Sequence, residues 1–178
     1  MDTARSITIE VYGEPAPGGS KRACPHSKTG RMVYLDMGGD LVKAWRRDVV
    51  KAAVRAIGGA VTGWQEGTIS KPLIVLPGHP DFPMFQKGVA VECEIIFWMP
   101  RPKYHFAKDG SIKQKYRFAY HVKTPDVDKL VRSTKDALSD SGIWWDDCQD
   151  IGGLKVKYFH PTDRAPGATI RIMEVLPR

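Results

Sequence analysis

The sequence predicts an α/β domain of the mixed α+β kind, with one mixed sheet and two main helices. Three observations lead there. From Val89 to Met99 apolar and other residues alternate, as in a half-buried strand. Two stretches, about Asp40 to Ala56 and about Asp128 to Ser139, carry apolar residues at spacings of three and four, as amphipathic helices do. Short extended runs flank both. With 178 residues, the chain suits a single domain, 1–178, able to bury about two-thirds of the surface exposed when unfolded.

Taken in order, Ile7, Ile9 and Val11 alternate with Thr8, Glu10 and Tyr12 in a first strand. Pro15-Ala16-Pro17-Gly18-Gly19-Ser20-Lys21-Arg22 ends it as a loop, and a second strand is expected from Arg31 to Leu35. In the first helix, Leu41, Trp45, Val49, Ala52 and Ala56 form the expected buried stripe, and Lys43, Arg47, Lys51 and Arg55 a basic one. Gly58-Gly59 stops this helix. Gly59 to Lys87 reads as a loop or insertion with some local structure, since wholly irregular loops of that length are rare in compact domains. Pro100 and Pro102 end the Val89–Met99 strand. The second helix buries Val127, Leu130, Val131, Thr134 and Leu138 and exits at Gly142. Strands at Leu154–Tyr158 and near Ala168–Val175 complete the order.

The formal net charge is +7, from 27 Lys and Arg against 20 Asp and Glu. Such a surplus favours a polyanionic partner. Between Arg101 and Lys123 there are seven Lys or Arg and one acid, Asp109, interleaved with Tyr104, Phe106, Tyr116, Phe118 and Tyr120. That mixture suits phosphate neutralisation with base or sugar contacts, and 103–117 is expected to be mobile. Apolar runs are too short for a transmembrane helix, and the start lacks a signal-peptide pattern, so a cytoplasmic location is expected. Cys24, Cys93 and Cys148 have no metal-finger or redox spacing and read as reduced thiols.

The chemistry is concentrated between Lys123 and Gln149. Asp126 and Asp128 are two apart, so they share a side best if the chain is extended there, and Pro125 biases its predecessor that way. Asp128 is then expected at the N-cap of the helix, with Arg132 one turn on. Paired aspartates can simply cap a helix. In a basic chain they also make sense around a divalent cation that bridges them to a phosphate, and magnesium suits such oxygen ligands, with manganese as the alternative. Asp147 follows the tight turn at Gly142 and can return as a third carboxylate. Asp146, its neighbour, should point the other way.

These residues form P-D-x-D-x-L-x-(K/R)-x-x-x-D-A-L and G-x-W-x-D-D-x-Q. Together they resemble the signature of the RusA family of Holliday junction resolvases, crossover junction endodeoxyribonucleases of phage and prophage type. Pro15 to Arg22 and Met99 to Lys103 are similar to further family segments, so the likeness covers nearly all of the chain except the Gly59–Lys87 stretch. It implies catalytic, metal-binding Asp126, Asp128 and Asp147, a basic partner on the helix at Arg132, and a homodimer in a bacterial or phage-infected cell. It further implies paired symmetric nicks in four-way junctions during DNA recombination and repair, leaving 5′-phosphate and 3′-hydroxyl ends. Two positions depart from the family pattern: Lys129 stands where Asn is common, and Arg132 where Lys is common, which keeps the charge but alters its geometry.

Lys21, Arg22, Arg101, Lys103, Lys129 and Arg132 are the expected DNA contacts, with Gly18-Gly19 amides able to approach a phosphate. His105 and His121 are expected to face solvent or DNA. Of Trp144 and Trp145, one ring should pack inward and the other serve an interface. Two other functions fit the same residues: a non-catalytic branched-DNA-binding module with the aspartates as caps, and a flap or branch nuclease of broader specificity.

Overall fold

The computed structural model describes residues 4–18, 21–25, 27–36, 39–65, 71–76 and 83–176. The central sheet is mixed. β1 (Ser6–Tyr12) pairs antiparallel with β9 (Gly167–Glu174), and β9 pairs antiparallel with β6 (Val91–Met99). The far edge of β6 is shared by two parallel strands, β7 (Asp150–Gly152) at its start and β8 (Lys155–Phe159) along its second half.

Alternation translates into register. Ile9 lies opposite Ile170, and Ile170 opposite Ile95; Val11, Ala168 and Phe97 form the next row. All six are buried, because successive residues of a strand face opposite sides and one side is covered. The cover is a pair of packed helices, α1 (Gly39–Ala56) and α2 (Val127–Ser141). Trp45 of α1 meets the Phe97 ring at 6.5 Å, and its Nε1–H donates to Thr134 Oγ1 of α2 at 3.1 Å. On the wetter side of the helix pair, Arg46 reaches Asp136 at 3.4 Å and Asp140 at 2.6 Å. Each fully buried Ile or Val contributes about 1.5–3 kcal/mol, so the rows beneath the helices hold the two in place.

The buried stripe of α1 differs from the expected one. It runs through Val42, Trp45, Val49, Val50, Ala53 and Val54, while Leu41 is 67% exposed. The helix begins at Gly39 and turns Val42, not Leu41, onto the sheet. In α2 the expected Leu130, Thr134 and Leu138 are buried, with the small Ser133, Ala137 and Ser141 beside them, while Val127 and Val131 are only partly buried.

Two small ribbons lie outside the main sheet: β2 (Lys21–Pro25) with β3 (Met32–Asp36), and β4 (Ala60–Gln65) with β5 (Lys71–Val75). The first ribbon begins within the stretch read as a loop from Pro15. The second occupies part of the Gly59–Lys87 stretch.

Candidate active site

The N-cap of helix α2 lies two residues earlier than the spacing suggested. Asp126 is its N-cap, with extended backbone (φ −68°, ψ 146°), and Asp128 lies inside the first turn. This corrects the expectation of Asp128 as the cap. The Asp126 carboxylate makes no capping hydrogen bond. It lies instead 3.6 Å from Lys129 Nζ. The approach to the cap is held from the sheet: Lys157 Nζ of β8 donates to the carbonyls of Lys123 and Pro125, both at 2.6 Å.

Asp128 is exposed, and at the helix start its negative charge complements the dipole. Arg132, also exposed, stands one turn further along that side. Asp136, the next turn, belongs to the helix pair: burial raises its pKa, and the Arg46 guanidinium opposes that rise.

The chain returns at Gly142, which ends α2 in the left-handed region (φ 71°) that glycine adopts without strain. Trp144 then packs inward at 1% exposure and Trp145 outward at 60%. Asp146 caps a short 3-10 turn, Asp147–Gln149, by accepting the Cys148 N–H at 2.9 Å. That bond is the first cause of its lowered pKa. So the two adjacent acids divide: Asp146 serves the turn, and Asp147 stays available.

Gln149 explains the end of the motif. Its Oε1 accepts from the Trp145 and Asp146 N–H groups, and its Nε2 donates to the Gln86 and Val89 carbonyls. This nearly buried side chain ties the turn that carries Asp147 to the segment leading into β6. Lys135 adds a second tie. Its Nζ lies 4.0 Å from Asp147 and 3.3 Å from Asp150, whose side chain is 3% exposed and also meets Lys155 at 3.1 Å. Neither Lys135 nor Asp150 was singled out from sequence, because a contact between a helix and a following strand has no local spacing signal.

The Pro15–Gly18 loop leans on α2. The Gly18 N–H donates to the Lys129 carbonyl at 3.0 Å, and a Cβ on Gly18 would meet the Ser133 backbone at 3.2 Å. The Gly18 amide is thus engaged within the protein, which corrects the idea of it as a free phosphate donor. Gly19, Ser20 and the side chains of Lys21 and Arg22 lie outside the described residues. Beside Asp126 and Lys129 opens a cleft of about 370 Å³, walled by Pro15–Pro17, Leu41, Met99 and Pro125. The exposed Leu41 belongs to this wall.

Asp126, Asp128 and Asp147 offer exposed oxygen donors, the chemistry a hard divalent cation takes. Among the described residues, however, no three His, Cys, Asp or Glu side chains converge closely enough to hold a metal. Lysines stand against Asp126 and Asp147 instead. Donor type fits such an ion; the spacing of the three carboxylates does not form a ready cage.

The family model described as Endodeoxyribonuclease RusA matches residues 78–173, more than half of the chain. The chain belongs to the RusA family. No curated protein matches the sequence. Membership makes this a nuclease acting on DNA, in a family of Holliday junction resolvases that are generally dependent on a divalent metal. Among the described residues no helix is long and apolar enough to cross a membrane.

The basic segment of this RusA-family chain is built around an aromatic cluster. His105 is 3% exposed, stacked on Tyr116 at 4.2 Å with Phe159 at its edge. Burial, then the charges of Arg101, Lys113 and Lys123, lower its pKa. This overturns the expectation of a solvent- or DNA-facing His105; rings on either side made burial favourable. His121, half-buried, also meets the Phe159 edge, and burial is the first cause of its lowered pKa. Arg101 donates to the His160 carbonyl at 2.7 Å and the Tyr116 carbonyl at 3.0 Å, so its guanidinium braces the segment. Lys103 is exposed. The three cysteines are unpaired, and burial, then Asp150, pushes the Cys93 thiol up to about 12.

Proposed function

We propose that this RusA-family chain is a magnesium-dependent, structure-selective endodeoxyribonuclease. Acting as a homodimer, it resolves four-way junctions by paired symmetric nicks. Asp126, Asp128 and Asp147 would hold the cation, with manganese an alternative. When bound, such an ion supplies a water of lowered pKa and neutralises the scissile phosphate. The observation that carries the reading is that these exposed acids are not used as caps: Asp126 makes no capping bond, Asp146 rather than Asp147 caps the short turn, and lysines stand against Asp126 and Asp147 at 3.6 and 4.0 Å. A chain using its aspartates only as caps would show the reverse.

The protein's own residues do the rest. Arg132, one turn from Asp128, holds a phosphate oxygen and offsets charge that builds there. Lys129 pairs with Asp126 and takes the neighbouring phosphate, joined by Lys103, Lys21 and Arg22 along the backbone. Arg101 contributes by fixing the strand end from which Lys103 projects.

The test is cleavage of a synthetic four-way junction, with magnesium, by wild type and Asp126→Asn, beside a linear duplex of the same sequence. Symmetric nicks on the junction alone, absent in the variant, are expected. Binding without cutting under any divalent cation would leave a branched-DNA-binding module. Equal cutting of flaps would leave a nuclease of broader specificity.

A further inference from the structure

The segment between the strand β6 and helix α2 carries three exposed apolar side chains that the nuclease chemistry does not use. Phe118 is 81% exposed, Tyr120 73% and Val122 86%. Residues this apolar are seldom left so open in a row without a partner. The backbone beneath these side chains is hydrogen-bonded to the rest of the fold. Arg101 donates to the Tyr116 carbonyl, Ala119 N–H to the same carbonyl at 3.2 Å, and Lys157 to the Lys123 carbonyl. Tyr120 bridges to Tyr158 of β8, with the rings 6.5 Å apart. The backbone that carries these side chains is thus tied to the fold at several points.

Charge decides which partner. From Ser111 to Pro125 the chain holds Lys113, Lys115, Arg117 and Lys123 and no acid. All four are exposed. Arg117 lies over the Phe118 ring at 5.5 Å, so cation and ring are offered together. A second copy of the chain would bring the same cations against these and be repelled. A polyanion with flat faces is complemented: phosphates for the cations, bases for the rings. Duplex DNA hides its base faces inside the stack. At a branch point the stack is interrupted and base faces become available. Val122 is four residues from Asp126, which at full extension is at most about 14 Å, so a base held here lies close to the candidate cleavage site.

We infer that Phe118, Tyr120 and Val122 form a stacking platform for bases at the branch point of branched DNA, with Lys115 and Arg117 on the flanking phosphates. The inference rests on the proposed nuclease reading for its substrate, but not for its measurement. Binding is followed without divalent cation, using a four-way junction, a linear duplex and an oligo-dT single strand. 5-Bromodeoxyuridine at the branch point or in an arm supplies photocrosslinks, located by mass spectrometry.

Phe118→Ala and Tyr120→Ala are each expected to weaken junction and single-strand binding about five-fold or more, the size of one lost stacking contact. Duplex binding should change much less, and Phe118→Trp should retain wild-type affinity. Crosslinks from the branch-point label should fall within 115–122, and those from the arm elsewhere. Because these side chains are exposed, unchanged thermal melts should confirm folding. Unaltered junction and single-strand affinity in both alanine variants would overturn the platform. So would a drop from dimer to monomer in sedimentation, which would give the face to a second copy. Junction cutting by wild type reads the nuclease proposal separately: cutting with silent platform variants sinks the platform alone, and binding through the platform without cutting sinks the nuclease alone.

Discussion

Lys135 Nζ stands between two acids, 3.3 Å from the buried Asp150 and 4.0 Å from the exposed Asp147. Asp150 is anchored on several sides. It accepts the Cys93 N–H, on the neighbouring strand, and the Gly152 N–H, each at 3.2 Å, and pairs with Lys155 as well. The fixed acid holds the lysine, and the lysine holds the turn that presents Asp147. Removing one of several partners is milder than removing the shared acid. Lys135→Met is therefore expected to cost about 1–3 kcal/mol, and Asp150→Ala about 3 kcal/mol or more, since it takes the buried acid away from two partly buried ammonium groups. Urea denaturation measures both. A change below about 0.5 kcal/mol in either would show that the contact contributes nothing.

Gly18 approaches α2 closely enough that a side chain would crowd it. A Cβ there would lie 3.1 Å from Ser133 Cβ and 3.2 Å from its Cα. Neither can move without moving the helix that carries Asp128 and Arg132. Gly18→Ala is expected to destabilise by about 1–3 kcal/mol through overpacking. It should also lower cleavage more than junction binding. A variant as stable as wild type would mean that the loop simply lifts away.

What could be read from the sequence was local. Helix α2 was legible because Leu130, Thr134 and Leu138 keep one face, and the candidate aspartates because their spacing belongs to a signature. Trp144 and Trp145 were legible as opposites because adjacent residues cannot share a face. The start of α2 was misplaced, because an aspartate favours both the N-cap and the first turn, and only the backbone decides between them. β7 and the β4–β5 ribbon are short and owe their existence to partners rather than to alternation. Gly18 seemed a phosphate donor until its amide was found on Lys129, a contact between segments more than a hundred residues apart.

His105 gives a pH dependence. Its folded pKa is lowered from 6.5, chiefly by burial, and His121 is shifted the same way. Below 6.5 the unfolded chain therefore binds more protons than the folded one, and stability rises with pH until about that value. Acidification should weaken the fold progressively below 6.5, with no pH-dependent contribution from these rings above it. His105→Gln is expected to be less stable at pH 8, having lost the stacked ring, but to show a flatter decline between pH 6.5 and 5. Thermal melts across that range check it, and parallel curves for wild type and variant would remove His105 as the cause.

Asp128 separates chemistry from folding most cleanly. Among the described residues its exposed carboxylate has no hydrogen-bond or ion-pair partner; only the helix dipole favours it. Asp128→Asn keeps size and polarity, so its cost in stability should stay below about 1 kcal/mol. If the carboxylate holds the cation, junction cleavage should fall by about a hundred-fold or more, because metal-assisted charge stabilisation is worth several kcal/mol. Junction affinity measured without divalent cation should hold or rise, since one negative charge facing the phosphates is gone. Lost cleavage with an unchanged melt and retained binding assigns Asp128 to the reaction. Lost cleavage with a lowered melt and lost binding would make it a structural residue at the start of α2, and the metal site would then have to be sought elsewhere.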